Sequence, residues 1–339
     1  YVVSEAMQAL GVPTTRALAA VSTGEPVLRE TGPLPGGIVT RVARSHLRVG
    51  TFQIFASRGE IDHLKTLTDY AIARHYPDAD GPLGLLRAVC AAQAELVPQW
   101  MSVGFIHGVM NTDNCSIAGE TIDYGPCAFM DAFHQGRVFS SIDRQGRYAF
   151  GNQPQIAVWN MAQLATALLQ QMDDKESAVE EATEIVHDMP DLIEAAWLRR
   201  FAAKIGISTP RDGDLDLINA LLQMMQQQGA DFTNTFRALC TDEARDQFAN
   251  REDFDDWARS WRDRIAEEPD PQTVMRAANP AVIPRNHRME QMIEAAVEGD
   301  MAPFERLMTA LATPYEKTDP ELQRPPTEDE IVPATFCGT

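Results

Sequence analysis

The chain has 339 residues, enough for about two domains or one large domain with two lobes. Its 49 acidic and 29 basic side chains give a net charge of −20. This charge argues against binding to nucleic acid or an anionic membrane surface, but a locally basic nucleotide pocket is compatible with it. The five cysteines form no CxxC pair, so the sequence shows neither a zinc signature nor a disulfide framework. We find no apolar run of membrane-spanning length and no signal peptide, and we therefore expect a cytoplasmic protein.

The first predicted element is a helix over residues 2–10, which Gly11 and Pro13 bring to an end. The chain starts within this helical pattern, at Tyr1 rather than at a methionine. Because a domain rarely begins inside an element, we expect an amino-terminal part to be missing.

Three short β-like runs follow, over residues 17–22, 26–30 and 38–43. Turn-forming residues separate these runs at positions 23–25 and 32–37. This spacing predicts a small antiparallel sheet of three strands.

From about Gly50 onward, apolar residues recur at helical spacing. The predicted helices cover residues 61–72, 83–101, 161–172, 177–187, 192–205, 215–228, 232–239, 289–297 and 304–311. Pro98 is expected to kink or end the second of these helices. The acidic run 173–193 is typical of a solvated helical face, and the tail 316–334 is expected to be an extended wrap or disordered.

A segment dense in loops, residues 103–155, lies just inside the helical part. A short β-rich piece followed by a large helical one suits a two-lobed phosphotransferase with the nucleotide between its lobes. Within the segment, His107 to Asn114 has the length of a kinase-like catalytic loop, and Asp123-Tyr124-Gly125 begins nine residues later. In such enzymes an Asn oxygen and the second Asp hold Mg²⁺ against the triphosphate, because hard oxygen ligands suit this ion. His107 itself is expected to be a scaffold residue that hydrogen-bonds the loop backbone.

Val109 occupies the position where kinases carry the Asp that handles the acceptor hydroxyl. Valine can neither orient nor deprotonate a hydroxyl. Three interpretations follow: the chain is an inactive kinase, Asp113 serves a differently arranged substrate, or residues 111–114 only form a capped turn.

Two stretches of this segment, GFIHGVMNTDN from Gly104 and TIDYGP from Thr121, strongly resemble the selenoprotein O family. Its members are protein adenylyltransferases with a pseudokinase fold. The resemblance extends along essentially the whole chain, through SEAMQALGVPTTRAL, RVARSHLRVGTFQ, GRYAFGNQP, NPAVIPRNH and the final Phe-Cys-Gly-Thr.

The resemblance implies an α+β fold of the two-lobed protein-kinase type, with a mostly helical C-lobe and a C-terminal helical extension. Residues 1–53 would be a remnant of the small β-rich lobe, so that the N-lobe is only partly present. Residues 54–339 would form the helical lobe, with the catalytic loop in residues 103–155 and the extension from about residue 275.

The resemblance also implies a reaction in which ATP binds in reverse orientation and AMP passes to Ser, Thr or Tyr hydroxyls of proteins, releasing pyrophosphate. By position, Asp113 matches the family's proposed base, and Asn114 and Asp123 match its ligands for Mg²⁺, or for Mn²⁺ in its place. Arg41 and Arg48 match two arginines that contact the nucleotide, as Asp123 also does. A guanidinium suits this role because several N–H donors can clamp phosphate oxygens.

Two departures from the family pattern affect these expectations. The family's Gly-rich loop, β-strand Lys and paired Glu should precede Ser4, where this chain has only three residues, so we expect the chain as given to be impaired or inactive. In some members a C-terminal Cys is tied to a Cys in the loop after the Asp-Tyr-Gly motif. Cys337 matches the C-terminal partner and would be a redox thiol, but the loop position is Phe139, for which Cys127 could substitute.

Two other functions stay open from the sequence: an ordinary ATP-dependent phosphotransferase, against which Val109 argues, and a non-catalytic pseudokinase-like scaffold. The expected partners of the adenylyltransferase are ATP and proteins with hydroxyl side chains, with no nucleic acid and no membrane.

Overall fold

The computed structural model describes residues 1–29, 32–241, 243–316 and 319–336, which are mostly helical with two small antiparallel sheets. The first elements are α1 (Val2–Ala9), β1 (Arg16–Arg29), β2 (Gly32–Val42), α2 (Val49–Ser57), α3 (Ile61–His75), α4 (Gly81–Ser102), β3 (Phe105–Ile106) and β4 (Ala128–Phe129). The helices that follow are α5 (Gln153–Leu168), α6 (Lys175–His187), α7 (Met189–Lys204), α8 (Asp214–Gln228), α9 (Phe232–Ala238), α10 (Arg251–Ile265), α11 (Pro271–Ala278), α12 (Asn286–Val297), α13 (Ala302–Leu311) and α14 (Pro320–Gln323). Within these ranges, no helix has both the length and the apolar character needed to cross a bilayer.

The predicted helices are all present, but two bounds differ for identifiable reasons. α4 continues past Pro98 to Ser102, because Trp100 and Met101 are buried in the core and their packing outweighs the hydrogen bond that proline removes. α5 begins eight residues before the predicted start, with Pro154 in its first turn, where the missing N–H is not needed. The short helices α2, α11 and α14 were not predicted, and α10 was not predicted as a separate helix.

β1 and β2 form one antiparallel hairpin, which runs from Arg16 opposite Val42 to Arg29 opposite Gly32. The prediction of three strands is therefore wrong, although the antiparallel arrangement is confirmed. Glu30, the last residue of the predicted second strand, lies outside the described residues.

The error in strand number has a local cause. Residues 23–25, which have the composition of a turn, form an irregularity between Ser22 and Pro26, where the register shifts and β1 continues. Pro33 and Pro35 suggested a second turn but lie within β2. Proline is tolerated there because each strand of a two-stranded sheet has a free edge.

The main core lies where α4 packs against α5 and α7. β3 follows α4 directly and pairs with β4, Phe105 opposite Phe129 and Ile106 opposite Ala128. Residues 107–127 therefore leave and re-enter the same two-stranded sheet. This connection holds both motifs singled out in the sequence, so the two strands fix the base of the candidate site.

The chain returns to this region near its carboxyl end. The Thr335 N–H donates to the Phe139 carbonyl (2.7 Å), and the Ser141 N–H donates to the Thr335 carbonyl (3.0 Å). Residues 319–336 thus form an extended wrap with short helical turns, the first of the two predicted alternatives. Lys317 and Thr318 lie outside the described residues.

A second, smaller core joins α1, α12 and α13, and His287 lies beside it. Only 2% of this residue is exposed, and neither ring nitrogen has a hydrogen-bond partner within the described chain. Burial lowers the His287 pKa to about 4 from its usual value near 6.5. The charged groups around it are Arg288, Glu330, Arg285 and Arg324.

This buried histidine predicts a loss of stability in acid. Because its pKa is depressed in the folded state, its contribution is complete above about pH 6.5 and is lost as the pH falls toward 4. We expect the free energy of unfolding of a His287→Leu variant to depend less on pH over this range than that of the parent chain. Urea unfolding at several pH values measures both slopes, with exposed His63→Leu as the control; equal slopes for His287→Leu and the parent would contradict the prediction.

Candidate active site

His107 ties the start of the candidate catalytic loop to the Asp-Tyr-Gly segment. It is fully buried beside Trp100, and its Nε2 lies 2.9 Å from the Ile122 carbonyl. Burial lowers the His107 pKa, so the ring is neutral near pH 7, with Nε2–H donating to Ile122. Nδ1 then accepts from the Val109 N–H (3.4 Å). The prediction of a scaffold role for His107 is confirmed.

Val109 contributes its backbone rather than its side chain to the loop. Its side chain is buried, with 5% of the residue exposed. Its carbonyl accepts from Asn114 Nδ2 (3.0 Å) and from the Asn111 N–H (2.9 Å). The amide nitrogen of Asn114 is thereby fixed, and its Oδ1 makes no hydrogen bond among the described residues. This oxygen is the atom that a metal ligand at Asn114 would use.

Asp123 has an unusual backbone conformation, with φ at 68°. Positive φ is strained for a residue with a side chain and is frequent at functional sites. Its Oδ1 accepts from the Gly125 N–H (2.9 Å), which fixes the carboxylate and leaves Oδ2 available. The neighbouring Tyr124 hydroxyl bonds to Thr14 Oγ1, which attaches this segment to the residues before β1.

The two candidate ligands suit a hard divalent cation. Asn114 and Asp123 supply one amide and one carboxylate oxygen, as expected where phosphate oxygens and water complete the coordination of Mg²⁺. In the ranges that the structure describes, no three side chains among His, Cys, Asp and Glu meet as a metal site. A cation here would thus depend on a phosphate-bearing substrate for the rest of its ligands.

Asp113 lies in the short 3-10 turn Thr112–Asn114 and is exposed. Its carboxylate has no hydrogen-bond partner among the described residues. The N-terminus of α2 is next to it, since the Val49 N–H donates to the Cys115 carbonyl (3.0 Å). The partial positive charge of a helix N-terminus favours a carboxylate at this position. An exposed, unpaired carboxylate is free to accept a proton from a substrate.

Gly50, in the first turn of α2, was overlooked in the sequence but lies directly against Asp113. A Cβ at this position would be 3.3 Å from both the Asp113 Cα and its backbone nitrogen. Glycine therefore permits the close approach of α2 to the loop. The motif RVARSHLRVGTFQ contains this glycine, but the sequence offered no sign of its partner.

We expect Gly50→Ala to lower nucleotidyl transfer about tenfold without lowering thermal stability. The added Cβ displaces Asp113, whereas alanine otherwise favours a helix over glycine. The turnover rate and the melting temperature are measured together. Gly84→Ala in α4 is the control, because its Cβ would lie 3.1 Å from the Ala79 backbone, away from Asp113; equal losses of activity in both variants would contradict the prediction.

The two candidate nucleotide-binding arginines have different surroundings. Arg48 is the residue before α2, and its backbone forms an isolated antiparallel β-bridge with that of Ser116 in the loop. The Arg48 Nε is buried and has no hydrogen-bond partner among the described residues, which is compatible with binding to a phosphate oxygen. Arg41 is exposed on β2, opposite Ala17. Burial raises the pKa of Tyr124, and the positive charge of Arg41 partly opposes this rise. The assignment of both arginines to a nucleotide stays a prediction.

The predicted redox pair is only partly described. Cys337 lies outside the described residues, although Thr335 reaches Phe139, the position of the expected loop partner. Burial raises the pKa of the Cys127 thiol to about 12. Since the thiolate is the reactive form, Cys127 is a poor partner for thiol–disulfide exchange.

Comparison with known proteins identifies the family. A family model described as "Protein adenylyltransferase SelO" matches residues 1–312. A protein from Roseobacter denitrificans, named protein nucleotidyltransferase YdiU, is 71% identical over 339 residues, which cover 100% of this chain and 72% of the relative. Proteins of the same name from Ruegeria pomeroyi and a Jannaschia species are 69% and 56% identical, again over all of this chain and 72% of each relative. The resemblance inferred from the motifs is confirmed: the chain belongs to the SelO family of nucleotidyltransferases.

Proposed function

We propose that this protein transfers AMP from ATP to Ser, Thr or Tyr hydroxyls of proteins and releases pyrophosphate. The observation that carries the proposal is that Asp113, rather than the residue at position 109, offers a carboxylate in the loop. Val109 turns its side chain into the protein, whereas Asp113 presents an unpaired carboxylate beside the candidate metal ligand Asn114. A two-lobed kinase-like fold, with residues 1–53 and 54–339 as its parts, belongs to the same proposal.

Each candidate residue has a defined task in this reaction. Asn114 and Asp123 would hold Mg²⁺ or Mn²⁺, which when bound neutralises charge on the phosphates. Arg48, with its unpartnered Nε, and Arg41 clamp phosphate oxygens. Asp113 accepts the proton of the acceptor hydroxyl, whose oxygen forms a bond to the α-phosphorus as the bond to the pyrophosphate oxygen breaks.

ATP labelled at either the α- or the γ-phosphate distinguishes the alternatives. The assay uses this chain and a fusion that adds the parts of the Roseobacter denitrificans relative outside the alignment. Label that enters protein from the α- but not the γ-phosphate, in either preparation, would support adenylyl transfer. Label from the γ-phosphate would show an ordinary kinase, and no label together with no ATP binding would favour a non-catalytic scaffold.

A further inference from the structure

The segment between β4 and α5 is basic in a protein that is strongly acidic. Arg137, Arg144 and Arg147 lie within eleven residues of one another, whereas the whole chain has a net charge of −20. Within the described chain, none of the three is within ion-pair distance of a carboxylate. Several exposed arginines elsewhere, such as Arg245 and Arg306, are paired with acidic side chains. The charges of these three arginines are therefore available to a binding partner.

Arg147 lies over two aromatic rings. Its guanidinium carbon lies 4.6 Å from the centre of the Trp159 ring and 5.7 Å from that of Tyr148. The nearest acid in sequence, Asp143, is already engaged, because its carboxylate accepts from the backbone N–H groups of Arg147 (2.8 Å) and Tyr148 (2.7 Å). Cation–π contacts thus hold the guanidinium in place, and its N–H groups have no hydrogen-bond partner among the described residues.

This group of three side chains, Arg147, Tyr148 and Trp159, which we call the acceptor ledge, is attached to the candidate catalytic loop. The Tyr148 hydroxyl lies 2.5 Å from Asn111 Oδ1, two residues before Asp113. Next to Trp159 in α5, Asn160 Nδ2 donates to the Met110 carbonyl (2.9 Å). Hydrogen bonds to Met110 and Asn111 therefore attach the ledge to the loop that carries Asp113.

We infer that the acceptor ledge binds a carboxylate side chain of the acceptor protein, so that hydroxyls with an Asp or Glu nearby are preferred. The inference rests on the proposed function. A guanidinium whose N–H donors have no partner among the described residues can bind a carboxylate through two parallel hydrogen bonds. The net charge of −20 otherwise repels an acidic partner, so a local unpaired arginine decides which side of the protein such a partner approaches.

The test compares three acceptor peptides that share one hydroxyl and differ only in a flanking Glu, Gln or Lys. The rate at which label passes from the α-phosphate of ATP to a peptide gives kcat/KM for that peptide. It is measured for this chain and for the fusion described under the proposed function. We expect the Glu peptide to exceed the Gln peptide about fivefold, the upper range for an exposed ion pair. Arg147→Gln should bring this ratio to about one by lowering kcat/KM for the Glu peptide, and Arg147→Glu should favour the Lys peptide.

Arg262→Gln in α10 is the matched control, because Arg262 is also exposed and has no ion-pair partner among the described residues. It should keep the preference of the parent chain. A Glu to Gln ratio that is the same in the parent chain and in Arg147→Gln would overturn the inference while adenylyl transfer stands. No transfer of α-label to any peptide in either preparation would instead overturn the proposed function, and the acceptor preference with it.

Discussion

Asp123→Asn is expected to lower nucleotidyl transfer at least about 100-fold while the fold is retained. Asparagine keeps an oxygen that can accept from the Gly125 N–H, and it tolerates the φ of 68° better than most residues. The variant removes the negative charge assigned to the metal, so that Asn114 alone would hold the ion. The rate of label incorporation at rising Mg²⁺ concentration and the melting temperature check the two parts of the prediction.

Asp300→Asn is the matched control for this variant. Asp300 also accepts from a backbone N–H two residues ahead, that of Ala302 (2.9 Å), but it lies just before α13. We expect Asp300→Asn to transfer at the rate of the parent chain. Equal rates for Asp123→Asn and Asp300→Asn would show that Asp123 is not a metal ligand.

The second large effect concerns stability rather than chemistry. We expect Arg285→Met to lower the free energy of unfolding by about 3–5 kcal/mol. Only 1% of Arg285 is exposed, and its Nη1 lies 2.6 Å from Asp131 Oδ1 and 2.8 Å from Asp231 Oδ2. Removal of the guanidinium would leave two largely buried carboxylates facing each other. Urea unfolding of the parent chain and the variant measures the difference.

The pH dependence of this loss identifies its cause. Burial already raises the Asp131 pKa, and without Arg285 one of the two carboxylates can take up a proton. The loss should therefore be smaller at pH 5 than at pH 8. Arg259→Met is the control, because Arg259 and Asp256 are each 70% exposed and their pair contributes at most about 1 kcal/mol. Similar losses in both variants, or a loss independent of pH, would contradict this account.

The candidate metal ligands were proposed from the sequence because kinase-like enzymes carry these residue types at this spacing, and their role stays a prediction. Two ligands of one cation must lie close together, and the apolar Ile122 before the second motif was interpreted as the end of a strand. The structure adds that the Ile122 carbonyl bonds to His107, which joins the two motifs. Both motifs lie in one connection between two paired strands, so the local sequence could indicate that they are neighbours.

Contacts between distant residues could not be predicted in this way. Arg285 and Asp131 are 154 residues apart, and Tyr148 and Asn111 are 37 residues apart. Such pairs leave no periodic pattern in the chain, because they depend on how helices pack rather than on local preference. For the same reason, Gly50 could not be matched with Asp113.

The hairpin of β1 and β2 shows a different limit. Leu28 is 82% exposed and Leu18 is 71% exposed, so apolar residues in this hairpin do not mark a buried face. The alternation of apolar and polar residues therefore could not be used to predict where the strands begin and end. The prediction then depended on turn-forming residues alone. Those at 23–25 mark an irregularity within one strand, because the same residue types serve turns and bulges.

The most direct test of the central claim is the mass of the group attached to the acceptor protein. The protein and its fusion are incubated with ATP, Mg²⁺ and a mixture of cellular proteins, and modified peptides are identified by mass spectrometry. We predict an adenylyl group on Ser, Thr or Tyr hydroxyls, lost when Asp113 or Asp123 is replaced by Asn. A phosphoryl group on those hydroxyls, or an adenylyl group formed equally well by both variants, would contradict the assigned reaction and site.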